Sequence, residues 1–265
     1  MIYRRYQPSD FAAVEALIAA AAAQDRTNRI SSEGLRRTLR LMSPIFEWTV
    51  TAATERGTVT GFAWWTVENR MEHPPELRLQ GWVHPDSRRR GVGTGLLVAI
   101  ESYARDTPGI KLYGRTYDDN VGAVTLFRRR GYTEARRFYV MIGPVLAEAA
   151  FPTPPGVGLR TAQPGDLPAL AEAENRFFAG HWGKHRVTTK TYQRAMVESD
   201  FDPSLWLLAW ANGQIIGQCL CHASTLPDAD VWIGTVGVDS VWRNRGLGRA
   251  LVGAAHARMY AAGFR

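Results

Sequence analysis

The chain repeats itself once, and that repetition constrains its fold more than any single motif does. Gln163-Pro164-Gly165-Asp166 follows Gln7-Pro8-Ser9-Asp10 by 156 positions, and Gly213 and Gly217 follow Gly57 and Gly61 by the same distance. Arg243-Asn244-Arg245-Gly246-Leu247-Gly248 follows Arg88-Arg89-Arg90-Gly91-Val92-Gly93 by 155. Three collinear matches with one residue of slippage imply two copies of one folding unit, and 265 residues have room for two ordinary domains. The join falls in Phe151-Pro152-Thr153-Pro154-Pro155-Gly156, where prolines and glycine break regular structure. This gives a first unit over residues 1–150 and a second over 157–265. In this register Arg265 corresponds to about residue 110, so the second unit is expected to lack the counterpart of Lys111 to Ile142, its C-terminal strands and helix.

Within the first copy, Ser9 is placed to cap a helix through Phe11, Val14, Ala16 and Ile18, and a second helical stretch follows. Phe46 to Thr54 and Val59 to Val67, joined through Glu55-Arg56-Gly57, read as a hairpin, and Leu77 to Val83 as a third strand. From Gly91 a helix carries Leu96, Leu97, Ile100, Tyr103 and Ala104 on one stripe. Lys111 to Tyr117 is a strand, Val121 to Arg130 a helix stopped by Gly131, and Phe138 to Ile142 a closing strand. In the second copy Leu205 to Ala211, Asn212-Gly213 and Gln214 to His222 form a clear hairpin. Helices, an antiparallel meander and then alternating strands and helices describe a mixed α/β sheet.

Two sites share one grammar: a strand, a turn carrying arginines, Gly-x-Gly, and an amphipathic helix. That grammar suits an anion, because the first turn of a helix has unpaired N–H groups and glycine lets a phosphate come close. A P-loop is excluded because no Gly-Lys-Ser/Thr follows, and a dinucleotide fingerprint because its third glycine would fall at Leu96 or Leu251. Charge adds little to this. The chain has 32 basic and 25 acidic residues, and all the basic ones except Lys111, Lys184 and Lys190 are arginines. Pairs such as Arg36-Arg37 and Arg136-Arg137 read as solvated faces, so nucleic acid has only the net charge behind it.

Arg88-x-x-Gly91-x-Gly93 and Arg243-x-x-Gly246-x-Gly248, each between a strand and a helix, resemble the acetyl-CoA loop of the GNAT family of N-acetyltransferases. Asn120, Ala123, Leu126-Phe127 and Gly131-Tyr132 resemble that family's next motif, and the doubling is similar to that of mycothiol synthase-like tandem acetyltransferases. The resemblance implies two α/β units, each a mixed, mostly antiparallel sheet flanked by helices, with central strands that splay apart around pantetheine. It implies acetyl-CoA as cosubstrate, its pyrophosphate held by Arg88, Arg89, Arg90, Gly91, Val92, Gly93 and Thr94 in one unit. The second unit would use Arg243, Asn244, Arg245, Gly246, Leu247, Gly248 and Arg249. Val83 and Val238 would bond pantetheine and polarise the thioester carbonyl, and Asn120 would contact pantetheine. A neutral amine attacks the thioester, and a carboxylate or water chain takes its proton.

Two positions depart from the family pattern. Phe127 stands where the family often has a tyrosine that protonates the leaving thiolate, and Trp232 stands where mycothiol synthases place their base. The nearest acids, Glu76 and Asp230, open the relevant strands and are the candidates for the base. No metal is expected: His181 and His185 have helical spacing, but Gly183 lies between them and no third ligand is evident. The longest apolar run, Ala16 to Ala23, is too short to span a bilayer, and Cys219 and Cys221 lie two apart on one strand face. A cytoplasmic N-acetyltransferase acting on a small-molecule amine is the resulting reading, without membrane contact. The alternative is a non-catalytic acyl-CoA-binding module. The missing strand of the second unit also leads one to expect an uncovered helix face on Leu251, Ala254, Ala255 and Met259, and self-association there.

Overall fold

A computed structural model describes residues 1–25, 35–36, 39, 49–53, 56–68, 76–105, 110–147, 151–182, 186–196, 202–223 and 230–265. The chain divides into two compact units, Met1–Tyr139 and Val140–Arg265. The proline-rich Phe151 to Gly156 therefore lies inside the second unit, and Val145 ahead of it packs in that unit's core.

In the first unit, β1 (Ile2–Arg4), β2 (Thr49–Ala53), β3 (Val59–Glu68), β4 (Glu76–Val83) and β5 (Lys111–Gly114) lie side by side in chain order. All pairs are antiparallel except β4 with β5. Helix α1 (Phe11–Gln24) covers one face through Val14, Leu17, Ile18 and Ala21, packed with Phe62, Trp64 and Trp82. Helix α2 (Val92–Arg105) covers the other through Val92, Leu96, Leu97 and Ile100, against Ala63, Trp65, Leu77 and Leu79. Period-2 alternation along β3 and β4 sends successive side chains to these two cores. Helix α3 (Val121–Arg129) follows β5.

The second unit repeats the plan with β6 (Gly158–Thr161), α4 (Leu167–Phe177), α5 (Thr189–Met196), β7 (Trp206–Ala211), β8 (Gln214–Ala223), β9 (Val231–Val238) and α6 (Leu247–Ala261). Its sheet runs β6-β7-β8-β9, all antiparallel. Asn212 and Gly213 take φ of +50° and +73°, the left-handed pair that a two-residue hairpin turn requires. Cys219 and Cys221 are buried, unoxidised, and share a face, with their sulfurs 3.9 Å apart.

The repeated landmarks have physical reasons. Asp10 accepts two bonds of 2.7 Å from Arg4 and one of 2.9 Å from the Gln7 N–H; Asp166 does the same with Arg160 at 2.6 and 2.8 Å and the Gln163 N–H at 2.7 Å. The Gln-Pro-x-Asp turn thus ties the first strand of each unit to its first helix; Asp10 rather than Ser9 stands at the N-cap position of α1, and its carboxylate bonds back to the turn rather than to the helix. Gly61 and Gly217 let a helix close on a strand: a Cβ at Gly61 would stand 2.7 Å from Val92, and one at Gly217 2.9 Å from Leu251.

Three expectations are corrected. Strand β5 stops at Gly114 rather than Tyr117, because its pairing with β4 ends at Leu79. Phe138 to Ile142 form no strand and are exposed, since β propensity without a partner edge builds no ladder. The helix face of Leu251, Ala255 and Met259 is not bare: all three are buried, with Ala254 and Phe264 packed beside them. The second helical stretch of the first unit and the Glu55 end of its hairpin lie largely outside the described residues.

Candidate functional site

The end of β4 is built to receive something. The His84 N–H donates to Thr60 O at 2.9 Å, so in the alternating antiparallel ladder Val83 and Gly81 turn their backbone groups away from β3. They face β5, but β5 has already ended opposite Leu79. The result is a splay whose wall carries backbone donors, with Gly81 exposed in mid-strand. In the second unit the Asp239 N–H donates to Ile216 O at 2.9 Å, which turns Val238 and Val236 toward the edge of β9 in the same way. Sequence reading found Val83 and Val238 but missed Gly81 and Val236, which counting back by two along each strand would have found.

Each strand runs into an anion-sized loop. Arg89 and Gly91 adopt φ of +60° and +82°, and their counterparts Asn244 and Gly246 adopt +61° and +84°. Two left-handed residues flanking one other turn successive N–H groups inward, which is the geometry of an anion nest. The nest leads directly into α2 or α6, whose first turns add unpaired N–H groups and the positive end of the helix dipole. The first intrahelical donors are Gly95 to Gly91 O and Ala250 to Gly246 O, so the donors through Thr94 and Arg249 have no intrahelical acceptor. Val92 and Leu247 are buried, so their side chains belong to the core and only their backbone serves the loop.

The arginines divide in role. Arg88 Nε donates to Val83 O at 3.4 Å and its Nη2 pairs with Asp25 at 2.7 Å. Arg243 Nε donates to Val238 O at 3.1 Å and its Nη2 to Phe177 O at 2.9 Å. Both guanidiniums therefore brace the strand end against the end of the first helix. Arg176, in the last turn of α4, pairs with Asp239 at 2.7 Å and holds its carboxyl below the usual carboxylate range. Arg89, Arg90, Arg245 and Arg249 are exposed around the nests, with Arg245 over Trp242 and Arg249 over Phe151.

Asn120 caps α3, its Oδ1 accepting from the Ala123 N–H at 3.0 Å, which leaves its amide nitrogen to donate outward. The Phe127 ring sits over Gly114, the last residue of β5, and 5.2 Å from the ring of Tyr132. Burial pushes the Tyr132 phenol well above its usual value, with Glu101 adding to the shift. Glu76 and Asp230 are at the wrong end. Glu76 lies five residues from Gly81 and Asp230 six from Val236, about 17 and 20 Å at 3.3 Å per residue. His181 is described and its N–H donates to Phe178 O, whereas His185 lies outside the described residues. No group of three metal-ligating side chains occurs among the described residues.

Similarity to known proteins follows the same division into two units. The acetyltransferase (GNAT) family model matches residues 13–132 and again 167–265, one match per unit. The chain belongs to the GNAT family. This N-acetyltransferase is 32% identical to a mycothiol acetyltransferase of Geodermatophilus obscurus over 96% of its own length and 83% of the relative's. It is 31% identical to that of Catenulispora acidiphila, covering 73% of this chain but only 62% of the relative. Among solved structures, a GCN5-related N-acetyltransferase from Sphaerobacter thermophilus superposes with a TM-score of 0.71 at 27% identity, covering 100% of this chain and 84% of that one. A tandem GNAT protein from the clavulanic acid biosynthesis pathway shares the fold over 98% of this chain and 86% of its own, with a TM-score of 0.69 at 17% identity. No helix among the described residues is long and apolar enough to cross a membrane.

Proposed function

We propose that this GNAT protein transfers an acetyl group from acetyl-CoA to the primary amine of a small molecule. The observation that carries the reading is the doubled arrangement of outward strand-edge donors leading into a left-handed nest and a helix N-terminus. Its donors suit a pyrophosphate with a pantetheine arm: the nest and helix turn would meet the anion, and Val83 and Gly81, or Val238 and Val236, would bond the extended arm. The CoA loop and α2 or α6 lie on one face of the sheet, so the amine arrives from the face covered by α1 or α4. Its nitrogen bonds to the thioester carbonyl carbon, the edge N–H groups stabilise the oxyanion, the C–S bond breaks, and the ammonium loses its proton.

Thiol release from acetyl-CoA, followed across ethanolamine, benzylamine, glucosamine and lysine, tests the reading. Release with any of them supports it. Silence with every amine despite micromolar CoA binding by calorimetry would instead identify a binding module, a result that Phe127 in place of a thiolate-protonating tyrosine favours for the first unit.

A further inference from the structure

With Glu76 and Asp230 remote, the proton acceptor must be sought nearer the edge donors. On β8, Gln218 and Leu220 face the layer of α4 and α5, and by the same alternation His222 faces it too. His222 pairs with Trp232 on β9 and is exposed. Between them the ladder slips: Leu220 opposes Thr235 and Cys221 opposes Ile233, leaving Gly234 as the extra residue of a bulge. The imidazole lies over that glycine, since a Cβ on Gly234 would stand 2.8 Å from His222 Nε2. Gly234 is two residues from Val236, about 7 Å along the strand, so the ring stands nearer the donor edge than Asp230 does.

The first unit serves as an internal control. The position matching His222, 156 residues earlier, is Thr66, and β4 pairs with β3 without a slip from Val83 to Glu76. At this pair of strands the bulge and the imidazole occur together in the second copy, and neither occurs at the matching described residues of the first.

We infer that His222 accepts the proton of the attacking amine in the second unit. This rests on the reading that the second unit binds acetyl-CoA. The amine nitrogen bonds to the carbonyl carbon, the thiolate leaves with the electron pair of the C–S bond, and the N–H proton passes to imidazole Nε2. The buried Glu174 and Tyr192 of α4 and α5 are bonded to each other, and Glu174 also to Gln218; among the described residues Asp230 precedes β9 and Asp239, paired with Arg176, follows it.

The test compares wild type, His222→Ala and His222→Gln in thiol release with the amine panel, and in CoA titration. Both variants should lose about 100-fold or more in kcat/KM while CoA affinity stays unchanged, and added imidazole should restore His222→Ala but not His222→Gln. Wild-type rates in either variant, or a loss matched by lost CoA binding, overturn the assignment. Ring nitrogen spectra, with the His222 signal assigned from His222→Gln, report independently of turnover. Movement of that signal when ethanolamine is added to the CoA-bound protein supports the inference, and a fixed signal overturns it even where acetyl transfer itself is silent.

Discussion

Gly93→Val separates backbone recognition of CoA from recognition by arginine side chains. A Cβ on Gly93 would stand 3.3 Å from Leu126 Cδ2 and 3.5 Å from Val83 Cγ2, so the methyl groups of valine would extend into the space between α3 and the end of β4. Overpacking of that kind costs about 1–3 kcal/mol of stability, which a cooperative melt would register without loss of the fold. The cost to binding is larger. If the obstruction removes two anion bonds to backbone N–H groups, at about 1.5–3 kcal/mol each, the loss is about 3–6 kcal/mol, or at least about 100-fold in Kd. Arg89 is exposed, and an exposed charge contact is worth about 0.2–1 kcal/mol, so Arg89→Ala should weaken binding by about five-fold at most. Alanine at φ +60° is no easier than arginine there, so the loop backbone gains nothing from the change. Calorimetric titration with CoA should show the first-unit event gone in Gly93→Val and nearly intact in Arg89→Ala. Equal small effects from both would refute backbone recognition.

Gly91→Ala and Gly246→Ala meet no atom within 4 Å, yet each should cost about 1–2 kcal/mol because φ stays near +80°; an unshifted urea midpoint would contradict this. Gly61→Val should destabilise the first unit by about 1–3 kcal/mol by forcing Val92 and Leu96 of α2 off β3, visible as a lower Tm. For Asp166 the Arg160 guanidinium and the Gln163 N–H hold the carboxyl below its usual value, and for Asp10 Arg4 and the Gln7 N–H outweigh a burial that pushes the other way. A depressed folded value contributes stability above the unfolded Asp value of about 3.9 and loses it as pH falls through the folded one. Asp166→Asn should therefore flatten the acid limb of a stability profile below about pH 4, and an unchanged limb would refute the linkage. Phe127→Tyr should raise turnover by the first unit while leaving CoA affinity within about two-fold, and no gain would show that thiolate protonation is not limiting there.

The repeat and the two loops were legible because they depend on local chemistry: glycines at left-handed φ, a Gln-Pro-x-Asp turn, and apolar stripes at helical spacing. The short first strands, Ile2–Arg4 and Gly158–Thr161, were not legible, because three or four residues give no period and their ladders are made with residues roughly 50 positions away. Arg88 and Arg243 read as anion ligands from sequence, since nothing local reveals that helix ends at Asp25 and Phe177 would claim their guanidiniums. Likewise the direction of a backbone N–H depends on ladder phase, so Gly81 and Val236 carry no side-chain signal of their role. The bulge at Gly234 is a misfit between two strands and exists only once both are paired.

The Gln-Pro-x-Asp turn aside, the two copies agree most on the loop side of the sheet. On the loop side each has an arginine bracing the strand end, a left-handed nest and a glycine under the helix. On the opposite side they differ. Ile18 and Phe62 are buried in an apolar core in the first unit, while the matching positions in the second are Glu174 and Gln218. The Tyr192 hydroxyl and Gln218 Nε2, the latter at 2.6 Å, donate to the Glu174 carboxylate, and burial beside that acid raises the Tyr192 phenol far above its usual value. Such a cluster is not needed for the fold, because the first copy builds it from hydrocarbon, and apolar replacement of buried polar pairs is commonly neutral or stabilising. Gln218 lies on β8, four residues before His222 and on the same face. Divergence concentrated there, with the loop side held constant, is what two units would show if both recognise the same arm and anion while only one has been shaped around an incoming amine.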